Sequence, residues 1–156
     1  MNNVFTKIEL QSPNFLQRIL KKQPKVNAFF EVNNLLATKP LNEIKIDDIE
    51  EIAAKYKINL HDNFLEQLKG LYGRFLKKCF DDNILTDEEI AELSKLRHLL
   101  ILKENDVSEL HDKLGAEIYK KEYNKAINSG NLLKSKEEFL EKLQQNLRLP
   151  EKIANK

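Results

Sequence analysis

Along most of this chain apolar residues return every three or four positions, the spacing that gathers them on one face of an α-helix. Phe15, Leu16, Ile19 and Leu20 make the first such stripe. Ser12-Pro13 offers a cap and a first-turn proline for a helix over 14–23, and Pro24 stops it. Val26, Phe29, Phe30, Val32, Leu35 and Leu36 make the second stripe, which ends before Pro40. A strand over 28–32 is the competing assignment, but the spacing fits a helix better. From residue 46 the pattern predicts helices over 47–57, 60–80, 87–102, 106–128 and 136–147. Thr86 with Glu89, and Ser135 with Glu138, have capping-box spacing. Asn59 with Asp62, and Asn105, offer looser versions of the same device.

Sliding the chain by about 48 residues aligns its apolar positions as an internal repeat does. Phe75 falls on Tyr123, Cys79 on Ile127, Asn83 on Asn131, Ile84 on Leu132 and Leu85 on Leu133. With one residue of slippage Leu93, Leu96, Leu100 and Leu102 meet Leu140, Leu143, Leu147 and Leu149. The repeated unit is a short helix, a tight link, a long helix and a polar corner. The expected fold is therefore all-α: a compact bundle of six to eight helices built from a helix-pair repeat. Residues 1–45 form an N-terminal helical extension and 46–156 the repeat domain.

Composition agrees. Only four glycines and four prolines in 156 residues argue against a turn-rich β architecture. The net charge of +1 gives no global field for nucleic acid. Residues 1–40 nevertheless hold six Lys/Arg against two acids, and the remainder 20 against 23. That basic segment, "RILKKQPKVNAFF", could suit an acidic membrane or RNA. A solvated helix face whose apolar side caps the repeat core is preferred, with partner docking or homodimerisation between the two. The longest apolar run is too short to span a bilayer. Lys7 and Glu9 interrupt the stretch a signal peptide would need, so a cytoplasmic protein is expected. The single cysteine, Cys79, occupies an apolar helical position and reads as a buried thiol.

The densest candidate chemistry is "CFDDNILTDEEI", residues 79–90. Asp81, Asp82, Asp87, Glu88 and Glu89 are candidate ligands for a divalent cation, the one cofactor the sequence suggests. An EF-hand loop fails in both registers, however. One puts Lys78 and Phe80 at ligand positions, and the other has Leu85 at the fifth and lacks the turn glycine. The alternative accounts for every residue. Asp81 and Asp82 end a helix, Ile84 and Leu85 plug the core, and Thr86 caps a helix whose acidic first turn suits its dipole. A second set, His61, Asp62, His98, His111 and Asp112, contains two matching Leu-His-Asp strings that would suit a small metal-dependent hydrolase. Capping and packing explain these more simply. No nucleophile, phosphate-binding or dinucleotide motif is present, so an enzyme is not expected. Gly70 and Gly73 sit inside a helix and read as points of close helix approach.

The stretches "CFDDNILTDEEIAELSKLRHLL" and "NDVSELHDKLGAEIYKKEYNKAINSGNLLKSKEEFLEKLQQNLRLPEKI" resemble the TerB-like helical superfamily, which includes the tellurite-resistance protein TerB. They are also similar to the helical repeats of the large chloroplast inner-envelope import scaffold. The likeness covers about residues 46–156. It implies an all-α bundle acting as a non-enzymatic interaction, adaptor or stress-response module that binds a protein partner. It brings no catalytic residues.

Overall fold

The computed structural model describes residues 4–82, 84–128, 141–142 and 145. The helix expected over 136–147, the Ser135–Glu138 box and the corner sequence from 129 onward lie outside the described residues, 141, 142 and 145 apart. The rest is all-helical, as the spacing requires: α1 (Phe15–Ile19), α2 (Val26–Thr38), a 3₁₀ turn (Leu41–Glu43), α3 (Ile46–Tyr56), α4 (Leu60–Cys79), α5 (Asp87–Leu99) and α6 (Glu104–Asn128). No strand occurs among the described residues.

α4 is the central element. It packs against α2, α5 and α6, while α3 packs against α2 and α5. Leu68, Leu71 and Leu76 of α4, Ile49 of α3, Val32 of α2 and Leu96 of α5 are fully enclosed. Each such side chain contributes about 1.5–3 kcal/mol relative to exposure. This is the face that the three- and four-residue spacing marks in the sequence.

Helix boundaries follow local chemistry more closely than the apolar stripes. Asn14, not Ser12, caps α1: its side chain accepts from Gln17 N–H and the Gln17 side chain accepts from Asn14 N–H. α1 is then only five residues long, because Lys21 turns into the left-handed region at φ 50°. The same ending recurs after α3 at Lys57 (φ 52°) and after α5 at Ile101 (φ 55°). In each case the next two amides reach back to the last turn: Lys21 and Lys22 to Arg18 and Gln17, Lys57 and Ile58 to Ala54 and Ala53, Ile101 and Leu102 to His98 and Arg97. This is the Schellman pattern, which satisfies otherwise unpaired carbonyls. α5 therefore stops at Leu99 instead of 102, and the reversal turns both Leu100 and Leu102 into the core. α6 starts two residues earlier than expected, because Asp106, not Asn105, accepts the Lys103 N–H at 2.7 Å. The short–long pairs α3–α4 and α5–α6 thus share one left-handed link, and the α1–α2 turn carries a third copy of it.

The expected glycine packing is not observed. A Cβ on Gly70 would meet nothing within 4 Å, and one on Gly73 would sit 3.9 Å from Leu110, an ordinary contact. Neither glycine is needed for helix approach.

Before α1 residues 5–11 form an irregular segment held by three asparagines of α2. Asn34 accepts from Ile8 N–H and donates to Ile8 C=O, both at 2.7 Å. Asn27 does the same for Gln11, both at 2.8 Å. Asn33 donates to Thr6 C=O at 2.8 Å. An asparagine side chain is a peptide group on a short stem, so it pairs with backbone as a neighbouring strand would. Phe5 anchors the far end, buried and stacked on Phe75 with ring centroids 6.3 Å apart.

Candidate functional site

Three places carry more than packing. The first is the acidic corner between α4 and α5. Glu89 accepts from both the N–H and the hydroxyl of Thr86 (2.9 and 2.8 Å), and Thr86 accepts from Glu89 N–H at 3.2 Å. The capping box read from the sequence is therefore complete. Asp82 accepts from Ile84 N–H at 3.0 Å, closing an Asx turn. Asp81, Asp87 and Glu88 lie exposed at the same corner. No group of three or more His, Cys, Asp or Glu side chains with metal-binding geometry occurs among the described residues. Of the two expected plugs only Leu85 is buried; Ile84 is 47% exposed. Cys79 ends α4 beneath this corner, and burial, with Glu89 and Glu92 nearby, pushes its thiol up to about 12. Such a thiol carries almost no thiolate at neutral pH and is a poor nucleophile.

The second is a cleft of about 550 Å³ between the starts of α3 and α4 and the end of α5. It is lined by Ile46, Glu50, Asn59, His61, Asp62, His98, Ile101, Leu102 and Lys103. His61, Asp62 and His98 all line this cleft, but among the described residues they form no group that could hold a metal ion. His111 does not line it: its Nε2 lies 2.7 Å from the Tyr72 hydroxyl, pairing α6 with α4. Burial lowers the His111 pKa and raises that of Tyr72 to about 12. The ring is thus neutral, and the hydrogen bond it shares with the phenol is a packing contact between α6 and α4. His61 meets Asp106 at 3.1 Å, and its own neighbour Asp62 only at 3.7 Å. The Lys103 amide, then His61, holds the Asp106 carboxyl below its ordinary range. Asp106 is thus committed to capping α6 and tying it to α4.

The third is α1. It has no buried residue, and Phe15, Leu16, Ile19 and Leu20 are 60–76% exposed. These are the four residues whose spacing defined the first stripe, now facing outward. Arg18, Lys21, Lys22 and Lys25 flank them, and no acid occurs between Glu9 and Glu31. The asparagine ladder is the feature the sequence reading missed. Its signal was present, since Asn27 and Asn33 share α2's inward face with Ala28, Val32 and Leu36, where an unpaired amide would be costly.

Against this geometry, a family model for the chloroplast envelope transporter Tic110 matches residues 18–115 and, a second time, 62–156. The chain belongs to the Tic110 chloroplast envelope transporter family. The two matches start 44 residues apart (18 and 62), which is also the offset between the left-handed links at Lys57 and Ile101. Sequence repeat, backbone repeat and family match therefore coincide to within a few residues. The first match begins inside α1. Of the two resemblances drawn from the sequence, the match supports the envelope import scaffold and does not extend to TerB. No curated protein and no solved structure matches the chain.

The Tic110 match corrects the expected localisation: the family points to the chloroplast envelope, not the cytoplasm. The cytoplasmic expectation rested on Lys7, Glu9 and short apolar runs. Those features bear on a secretory signal and a membrane span, and they do not specify a compartment. Among the described residues no helix is long and apolar enough to cross a membrane.

Proposed function

We propose that this chain is a non-enzymatic helical docking module acting at the chloroplast envelope, binding a protein partner of the import machinery through α1. The observation that supports it is the outward stripe of Phe15, Leu16, Ile19 and Leu20 on a helix that gives nothing to the core. Four large apolar side chains this exposed, rimmed by cations, form a patch of the kind that marks interaction sites. The flanking charges suit a partner with an acidic rim, giving fast, salt-sensitive encounter around an apolar centre. Membership of an envelope transporter family supplies the setting. A stress-response role rests only on the TerB-like resemblance.

A photo-crosslinking amino acid at Leu16, in isolated envelope vesicles with stroma, tests this reading. The expected adduct, identified by mass spectrometry, is a component of the import machinery. It disappears when Phe15 and Ile19 are changed to Gln. Equal labelling of many unrelated proteins, unaffected by those substitutions, refutes the reading. The divalent-cation alternative at Asp81, Asp82, Asp87, Glu88 and Glu89 is tested separately by calorimetry with Ca²⁺, Mg²⁺ and Mn²⁺. Heat and a raised melting temperature would favour it.

A further inference from the structure

We propose that Ser12 is a phosphorylation site for a proline-directed serine kinase, and that its phosphate clasps Arg18 and switches off the docking face of α1. The proposal rests on α1 being that face and names how it is regulated.

Ser12 has the marks of a helix cap and does not act as one. Asn14 and Gln17 make both bonds of the capping box, so the Ser12 hydroxyl contributes nothing to starting α1. Its side chain is exposed. Pro13 follows it, with no N–H and a fixed φ, and Asn14 continues extended at φ −70° and ψ 174°. Kinases take their substrates as extended chain. A proline-directed kinase selects this neighbour because an N–H there would be left unpaired in its pocket.

The segment is open to such an enzyme. The strap before it, residues 5–11, ends with Gln11 bonded to Asn27, and Pro24 is buried on the far side. Between these two anchors no residue from 12 to 23 is buried, so the core stays closed when a kinase engages Ser12.

A receiver for the phosphate is already in place. Arg18 Nε donates to the Pro13 carbonyl at 3.1 Å, which folds the guanidinium back over the residue next to Ser12. Among the described residues Arg18 has no carboxylate partner, and its two terminal nitrogens make no bond. Phosphoserine carries about −1.5 to −2 charges at pH 7 and three acceptor oxygens, and a guanidinium meets such a group with two parallel N–H donors. No acid intervenes between Glu9 and Glu31. The phosphate therefore cancels about half of the charge that Arg18, Lys21, Lys22 and Lys25 offer to an acidic rim.

The kinase moves the terminal phosphoryl group of ATP to Ser12 Oγ. The Oγ–P bond forms as the bond from that phosphorus to the ADP oxygen breaks, and the hydroxyl proton passes to the kinase's base.

The test uses the full chain. A recombinant proline-directed kinase with ATP should phosphorylate the folded chain at Ser12, read by mass spectrometry, and Ser12→Ala and Pro13→Ala should each abolish that modification. In the phosphorylated chain a phosphorus NMR titration should place the second pKa about half a unit or more below its ordinary value of about 6. Arg18→Gln should return it to that value. In envelope vesicles with stroma, the Leu16 adduct should fall about tenfold on phosphorylation, a loss that narrows at high salt. Phosphorylation of Ser12 only in denaturant, or a phosphate whose titration ignores Arg18→Gln, overturns the inference. An adduct of equal yield with and without the phosphate also overturns it, and the docking reading then stands. If neither chain gives a specific adduct, the docking reading falls and the switch falls with it.

Discussion

Replacing Asn27 by Asp changes one atom of the strap's anchorage and gives a sign as well as a magnitude. Asn27 is 1% exposed; it accepts from Gln11 N–H and donates to Gln11 C=O, each at 2.8 Å. The carboxylate keeps the first bond and turns the second into an oxygen–oxygen repulsion. Losing that bond costs about 1 kcal/mol, and stranding a carbonyl against a buried anion adds about 1–3 kcal/mol. Asn27→Asp should therefore lower unfolding free energy by about 2–4 kcal/mol at pH 7, up to the cost of releasing the strap and Phe5. Burial and the facing carbonyl raise the new carboxyl's folded pKa above its unfolded value. The deficit is thus full above that raised pKa and shrinks as pH falls through it. It is smallest below about 3.9, the ordinary aspartate value, where the protonated group donates to Gln11 again. Urea denaturation of wild type and variant across pH measures the difference, and hydrogen exchange at Ile8 and Gln11 reports the strap locally. A loss under about 0.5 kcal/mol at pH 7, with both amides still protected, would show that the ladder does not hold the strap.

Other outcomes follow from single contacts. Gly70→Ala should stabilise by about 0.5–1 kcal/mol in thermal unfolding, since it gains helix propensity in open space. Lys57→Gly should stabilise by about 1 kcal/mol, because Lys57 is exposed and held at φ 52°, where only glycine is free of strain. His111 has a lowered folded pKa, so protonation opposes folding: stability should be full above 6.5 and fall as pH drops through that value. His111→Gln should flatten that fall. Cys79 should resist thiol reagents in the native state and react at once in urea, as a buried thiol near 12 requires.

Local chemistry wrote much of this molecule legibly. Thr86 and Glu89 announce the start of α5, and Asn59 accepts from Asp62 N–H at α4 as its spacing suggests. Both devices act within one helical turn, where sequence distance and spatial distance are the same. The apolar stripes of α2, α4 and α5 likewise become one core, because burial follows directly from helical period. The repeat was legible too, since equal helix pairs need equal apolar positions. Where the sequence reading failed, the deciding contact lay far along the chain. Phe15, Leu16, Ile19 and Leu20 show the same period as a core helix, yet face water. Periodicity defines a face without saying whether another element arrives to cover it. Asn27, Asn33 and Asn34 look like ordinary polar positions until residues 5–11 are folded back over them. His61 lies beside Asp62 in sequence, but is held by Asp106, 45 residues on. Local order along the chain dictates a repeated helical bundle with capped corners, because those features are settled over three or four residues. Tertiary structure alone decided which apolar stripe stays exposed and which amides grip the strap. Both depend on what the rest of the chain brings to each face.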